Sequence, residues 1–314
     1  VPPVAVIDIG SNSIKLLVAA KGADGRLVAR KLQTIEARIS AGLSAEKPRL
    51  GAEGMERGIA AVVELAAQAA AFEPFQVIAV ATSAVRDAEN GAEFTARIRA
   101  ASGLEVRILS GDEEANLIGQ GLLCDPALAG ERDFYVFDLG GGSLECLAFV
   151  DRKAVSAVSL PLGCVRLTER FVPNPAAPFP SSAGAAIAAH TRSAVTAANF
   201  SLATVGTAIG TGGTLTTVRA MIAARDGQRL DETSLELPVS ALRELLAQIG
   251  PLPLADRQQV PGLPAGRADV FPAALATLIA LADLAGFEAY RHSLYNLRWG
   301  LAAEAVERVA LGPL

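Results

Sequence analysis

Asp138-Leu139-Gly140-Gly141-Gly142-Ser143-Leu144-Glu145 joins two apolar runs, Phe134 to Phe137 and Leu144 to Val150, and its reading decides the fold. The chain carries it twice. Val6-Ile7-Asp8-Ile9-Gly10-Ser11-Asn12-Ser13-Ile14-Lys15-Leu16-Leu17 falls on Val136 to Leu147 at a single offset of 130 residues, matching Val, Asp, Gly, Ser and Leu. Two copies of one hairpin predict two related lobes facing a common cleft.

The chemistry of the loop suits a phosphate. Glycines reach positive φ and let backbone N–H groups converge on an anion, and the serine hydroxyl adds a donor. A carboxylate beside such a nest repels bare phosphate, so Asp138 and Glu145 are better explained by a divalent cation between them and the phosphate, held directly or through waters. The structural alternative for a single copy is a tight hairpin with a bulge. Two copies in register weigh against it.

At 314 residues the length suggests two domains, and the 51% apolar composition can fill two cores. A formal net charge of -5 excludes a globally basic nucleic-acid binder, so a polyanionic ligand must be met by a local cluster of cations. Cys124, Cys146 and Cys164 are odd in number and lack C-x-x-C spacing, which argues against a disulfide framework or thiolate metal site. With His190 and His292 the only histidines, H-E-x-x-H zinc sites and histidine phosphohydrolase clusters are excluded by inventory. No charged and apolar leader follows Val1-Pro2-Pro3, and the absent initiator Met is expected to reflect trimming. Phe271 to Phe287 is apolar and alanine-rich but contains Asp283, so it reads as a buried helix rather than a membrane span. The expectation is a soluble cytoplasmic protein.

Taken in order, Val4 to Ile9, Ile14 to Ala20 and Leu27 to Ile35 read as an antiparallel meander. Gly51 to Ala71 has apolar residues at helical spacing, and Gln76 to Ala81 returns to strand. Arg86 follows that strand, at the kind of strand terminus that faces ligands in α/β sheets. Ser110-Gly111-Asp112-Glu113 matches a capping box, which gives Glu113 a structural job. Glu114 is turned about 100° around the helix from it and can point elsewhere. The lobe boundary is placed in the polar connection after Cys124, giving lobes of 1–124 and 125–314, with the last helix packing back toward the first lobe. In the second lobe the meander returns, Arg166 sits on a helix after Pro161, and 172–182 is too rich in proline for regular structure. Ala203 to Ile209 then leads to a third small-residue loop, Gly210-Thr211-Gly212-Gly213-Thr214, before an apolar helix, where Gly212 and Gly213 could let N–H groups or a nucleoside approach.

These motifs together resemble the exopolyphosphatase and guanosine pentaphosphate phosphatase family, a branch of the actin, hexokinase and heat-shock-ATPase superfamily. They are Ile7 to Ser13, Ala81 to Arg86, Ser110 to Ala115, Asp138 to Glu145, Pro161 to Phe171, Gly210 to Thr214 and Arg267 to Val270, in the family's order across nearly the whole chain. The resemblance implies an α/β fold of two ribonuclease-H-like lobes flanking an interdomain cleft. It also implies metal-assisted hydrolysis of a terminal phosphoanhydride in polyphosphate or guanosine pentaphosphate. Glu114 would be the base that activates water. Ser11, Asn12, Ser13, Gly140, Gly141, Gly142 and Ser143 would hold phosphoryl oxygens, and Arg86 and Arg166 would clamp the following phosphates with planar guanidinium groups. Asp8, Asp138 and Glu145 would hold Mg²⁺ (or Mn²⁺). The partners expected are the phosphate substrate, no nucleic acid and no membrane, with a homodimer as the candidate assembly.

Departures from the family pattern bear on substrate preference. Asn116 stands where an arginine is usual, Arg38 lies in an altered segment running to Leu43, and Asn296 and Trp299 replace glycine and glutamate around Leu297-Arg298. The chain is also expected to lack the extra helical region of longer members. Two other readings stay open. One is a kinase of the same superfamily, which would need an aspartate near a hydroxyl acceptor; the other is a sensor that binds phosphates and turns over little.

Overall fold

The structure is a computed structural model that describes residues 2–40, 48–202 and 206–311. The altered segment at Ala41 to Leu43 and the expected strand start at Ala203 lie outside the described residues. The chain divides into two units, Val1–Gly130 with Tyr295–Leu314, and Glu131–Leu294. The boundary expected at 124 to 125 thus falls at 130 to 131 in this division, and the last helix is counted within the first unit.

In the first unit β1 (Val4–Ile9), β2 (Ile14–Lys21) and β3 (Leu27–Ile35) form the meander. Helix α1 (Ala52–Ala70) follows, then β4 (Gln76–Ala81), α2 (Ser83–Asp87), α3 (Gly91–Ser102), β5 (Val106–Ile108) and α4 (Gly111–Leu123). The sheet runs β3-β2-β1-β4-β5, antiparallel through the meander and parallel from β1 to β4 and β5. Every residue of β1 is buried, Asp8 included, and its other five residues are apolar, as suits a strand in the middle of a sheet.

The second unit opens with β6 (Phe134–Leu139), β7 (Leu144–Val150) and β8 (Lys153–Leu160). It continues through α5 (Cys164–Phe171), α6 (Ser181–Ala197), β9 (Thr207–Thr211), α7 (Gly212–Arg225) and β10 (Glu236–Pro238). Then come α8 (Val239–Ile249), α9 (Leu254–Arg257), α10 (Phe271–Ala285) and β11 (Ala289–His292). The sheet order is β10-β11-β9-β6-β7-β8, so β8-β7-β6-β9-β11 repeats the first sheet strand for strand and β10 is an addition. The repeat extends to an irregularity. The register shifts between Val18 and Ala19 in one sheet and between Ala148 and Phe149 in the other, the same offset of 130. A bulge at one repeated place shifts the register of both meanders alike.

Helix α10 is buried from Phe271 to Ala282, which explains its apolar composition, and no helix among the described residues is long and apolar enough to cross a membrane. The last helix, α11 (Leu297–Leu311), packs on α4 and on the first sheet. The two helices cross at glycines. A Cβ on Gly121 would stand 2.0 Å from the Asn296 carbonyl oxygen, and one on Gly300 would stand 2.1 Å from that of Leu117. Only backbones bare of Cβ approach so closely.

Candidate active site

In the first unit the loop between β1 and β2 has its carbonyls occupied. Ser40 N–H donates to the Ser11 carbonyl at 3.2 Å and Arg38 N–H to that of Asn12 at 2.9 Å. Among the described residues no backbone carbonyl takes the N–H of Ser11 or Asn12. Asn12 is buried with both side-chain polar atoms unpartnered, and Ser11 Oγ lies 3.4 Å from Ser83 Oγ. A buried amide with no partner is costly unless a ligand completes it.

The loop between β6 and β7 solves the same problem with a helix. The N–H groups of Cys164 and Val165, opening α5, donate to the carbonyls of Gly140 (3.0 Å) and Gly141 (2.9 Å). Gly163 permits this approach, since a Cβ there would stand 2.2 Å from the Gly141 oxygen. Again no described backbone carbonyl takes the N–H of Gly141 or Gly142. Arg166 Nε donates to the Gly142 carbonyl at 3.1 Å, which seats its guanidinium at the loop.

The capping box at the start of α4 forms as expected. Glu113 N–H donates to Ser110 Oγ (3.2 Å) and Ser110 N–H to Glu113 Oε2 (2.8 Å). Those bonds, the backbone one first, hold the Glu113 carboxyl below its ordinary range. Glu114 is turned away from the cap and buried. Its Oε2 accepts from Arg86 Nη1 at 2.9 Å, and the same Nη1 donates to the Leu109 carbonyl at 2.9 Å. The structure therefore brings together Glu114 and Arg86, which the sequence reading had assigned to separate tasks.

The three expected metal ligands divide into two different environments. Asp138 and Glu145 are direct partners across β6 and β7, so both carboxylates emerge on one face. Glu145 is 2% exposed, and Ser159 Oγ donates to its Oε1 at 2.8 Å. Two adjacent carboxylates suit Mg²⁺, which keeps several waters and takes one or two carboxylates plus substrate phosphate. Asp8 has Lys15 as its cross-strand partner instead. Burial pushes the Asp8 carboxyl up, while Lys15 and Arg298 pull it down, and its Oδ1 has no hydrogen-bond partner. Lys15 and Arg298 are thus the charges acting on Asp8, where Asp138 has a second carboxylate as its cross-strand partner. Among the described residues no three His, Cys, Asp or Glu side chains gather in one place.

Gly212 and Gly213 have packing tasks in this structure. A Cβ on Gly212, whose φ is 83°, would stand 2.0 Å from Asp138 Oδ1. One on Gly213 would stand 2.6 Å from Arg267 Nη1, which donates to Thr217 Oγ1 at 3.2 Å. Both glycines thus let charged side chains lie on the backbone. Lys15 and Arg267 were not picked out from the sequence as site residues. A lysine in the otherwise apolar Ile14 to Ala20 is a readable signal; Arg267 and Gly213 lie in two of the quoted motifs, but neither motif shows that the two residues meet.

The sequence profile of the Ppx/GppA phosphatase family matches residues 17–309. The chain belongs to that family. Among solved structures, an exopolyphosphatase-like protein is 26% identical with a TM-score of 0.87, each chain covered over 98% of its length. The Aquifex aeolicus Ppx/GppA family member is 25% identical with a TM-score of 0.77, over 97% of this chain and 98% of that one. An exopolyphosphatase from Cytophaga hutchinsonii, 22% identical over 97% and 98%, shares the fold with a TM-score of 0.86. The two-sheet α/β architecture expected from the repeated hairpin is the fold of Ppx/GppA phosphatases.

Proposed function

We propose that this Ppx/GppA phosphatase releases orthophosphate from the end of inorganic polyphosphate or from guanosine pentaphosphate, using water activated by Glu114. The observation that carries the reading is the division of labour at α4: Glu113 is spent on the cap, and Glu114 is left buried and ion-paired away from it. A buried, oriented carboxylate is what a general base requires.

In the proposed reaction Glu114 takes a proton from water as the water oxygen bonds to the terminal phosphorus. The bond from that phosphorus to the bridging oxygen breaks, and the shortened chain or nucleotide leaves with the electron pair. The N–H groups of Ser11, Asn12, Gly141 and Gly142, with the hydroxyls of Ser13 and Ser143, hold phosphoryl oxygens where charge accumulates. Arg166, seated on the Gly142 carbonyl, takes a following phosphate. Asp138 and Glu145 would hold Mg²⁺ or Mn²⁺, whose charge, when bound, offsets that of the phosphates. The names of two solved relatives, exopolyphosphatase and exopolyphosphatase-like protein, favour polyphosphate as the first substrate to try.

The test is Glu114→Gln, which preserves size and the neighbouring cap. Orthophosphate release from polyphosphates of several lengths and from guanosine pentaphosphate is expected to fall by roughly 10² to 10⁴ with substrate binding retained. Undiminished release would remove Glu114 from the mechanism.

A further inference from the structure

We propose that Arg86 is the positioning residue of the base, fixing the Glu114 carboxylate instead of clamping a phosphate; this rests on the reading of Glu114 as base. Arg86 Nη1 is shared between Glu114 Oε2 and the Leu109 carbonyl, each at 2.9 Å. The shared carbonyl lies one residue before Ser110, the N-cap of the helix that carries Glu114. A single guanidinium nitrogen therefore ties the carboxylate to the first turn of its own helix. Such a charge-assisted bond is short and directional, and it limits the rotamers open to a glutamate.

Arg86 is itself anchored. Its own N–H donates to the Thr82 carbonyl at 3.0 Å, and Leu109 N–H donates to the Ala81 carbonyl at 2.9 Å. The end of β4, helix α2, the residue after β5 and the start of α4 are thus joined around one side chain. Its Nε lies 3.6 Å from Asp87, a second charge holding the guanidinium in place. The side chains of Arg86 and Glu114 are 24% and 8% exposed, so the pair is shielded from water more than a surface ion pair. Arg166 differs in kind. Its Nε donates to the Gly142 carbonyl of the glycine loop itself, so it is seated on that loop and not on the helix that carries the base. Were Arg86 to swing onto a phosphate, it would give up both its bond to the base and its bond to the turn that carries the base.

The roles of clamp and positioner separate kinetically. Phosphate release from linear polyphosphate of defined length is measured on the wild type, Arg86→Met, Arg86→Lys, Glu114→Gln and the Arg86→Met, Glu114→Gln double variant. A misplaced base lowers kcat, here by about 10²-fold in Arg86→Met, with KM close to wild type and partial recovery in Arg86→Lys. In the Glu114→Gln background the Arg86→Met change should cost nothing more, because the two side chains act as one unit. A raised KM with kcat kept, or losses that multiply in the double variant, overturns the proposal and makes Arg86 a clamp. If Arg86→Met does not fold by circular dichroism, Arg86→Lys, which keeps the charge but not the fork, decides by the same split of kcat from KM. Full activity in Glu114→Gln overturns the reading of the base instead, whatever Arg86 does.

Discussion

Lowering the pH from neutral to about pH 5 should cost roughly 2 kcal/mol of stability through His292 alone. His292 is 1% exposed at the end of β11. Its Nε2 lies 3.2 Å from Thr216 Oγ1, whose own proton goes to the Gly212 carbonyl at 2.9 Å. Nε2 must then carry the hydrogen, leaving Nδ1 bare, and Nδ1 is buried with no partner. A second proton would enter at Nδ1, in a buried site already facing the charge of Arg219. Burial first, and Arg219 second, push the His292 pKa down from 6.5 to about 4. The difference, 6.5 less 4, is 2.5 pH units, or about 3 kcal/mol at roughly 1.4 kcal/mol each. Because the folded value lies below the unfolded one, this stability is complete above 6.5, declines as pH falls, and is gone below about 4. His292→Gln keeps a donor for Thr216 and cannot titrate. Urea unfolding of both proteins across this range should show the wild type losing stability relative to the variant as the pH drops. A gap that stays constant with pH would refute the argument.

Two other perturbations test the frame around the site. Gly300→Ala places a Cβ 2.1 Å from the Leu117 carbonyl oxygen, so α4 and α11 must separate; because the clash is with backbone, the cost is expected at the upper end of about 1–3 kcal/mol, exceeding the gain of roughly 1 kcal/mol in helix propensity and leaving a net loss in urea unfolding. Glu145→Gln should raise the Mg²⁺ concentration needed for half-maximal phosphate release by roughly 10- to 100-fold. An unchanged requirement removes Glu145 from the metal's surroundings.

What the sequence reveals here is whatever is local or repeated. The two hairpins share an offset of 130, and the structure repeats their strand order and even their bulge. The capping box is a four-residue pattern and forms as read. Short elements escape such reading: β10 is three residues ending in a proline, α9 is four, and a 3-10 turn at Ala265–Arg267 precedes the helix that begins at Phe271. Contacts between distant residues escape too. Nothing in the spacing of Gly121 and Gly300 announces that two helix backbones touch there, and the separation of 28 positions from Arg86 to Glu114 hides an ion pair.

The repeat also shows where the two units part in chemistry. Asp8 and Asp138 are equivalent, and each faces the residue seven positions later across its hairpin, yet that residue is Lys15 in one and Glu145 in the other. The first pair joins opposite charges, and Arg298 adds a further positive charge acting on Asp8. The second pair carries two carboxylates on one face, which repel phosphate unless a cation intervenes. On the proposed function the same backbone serves both hairpins, and the residue at this one strand position distinguishes the hairpin that needs a metal from the one that does not. Exchanging that position is the sharper distinction on the proposed function: a change at Glu145 is expected to show in the Mg²⁺ requirement, and a change at Lys15 in the KM for the phosphate substrate.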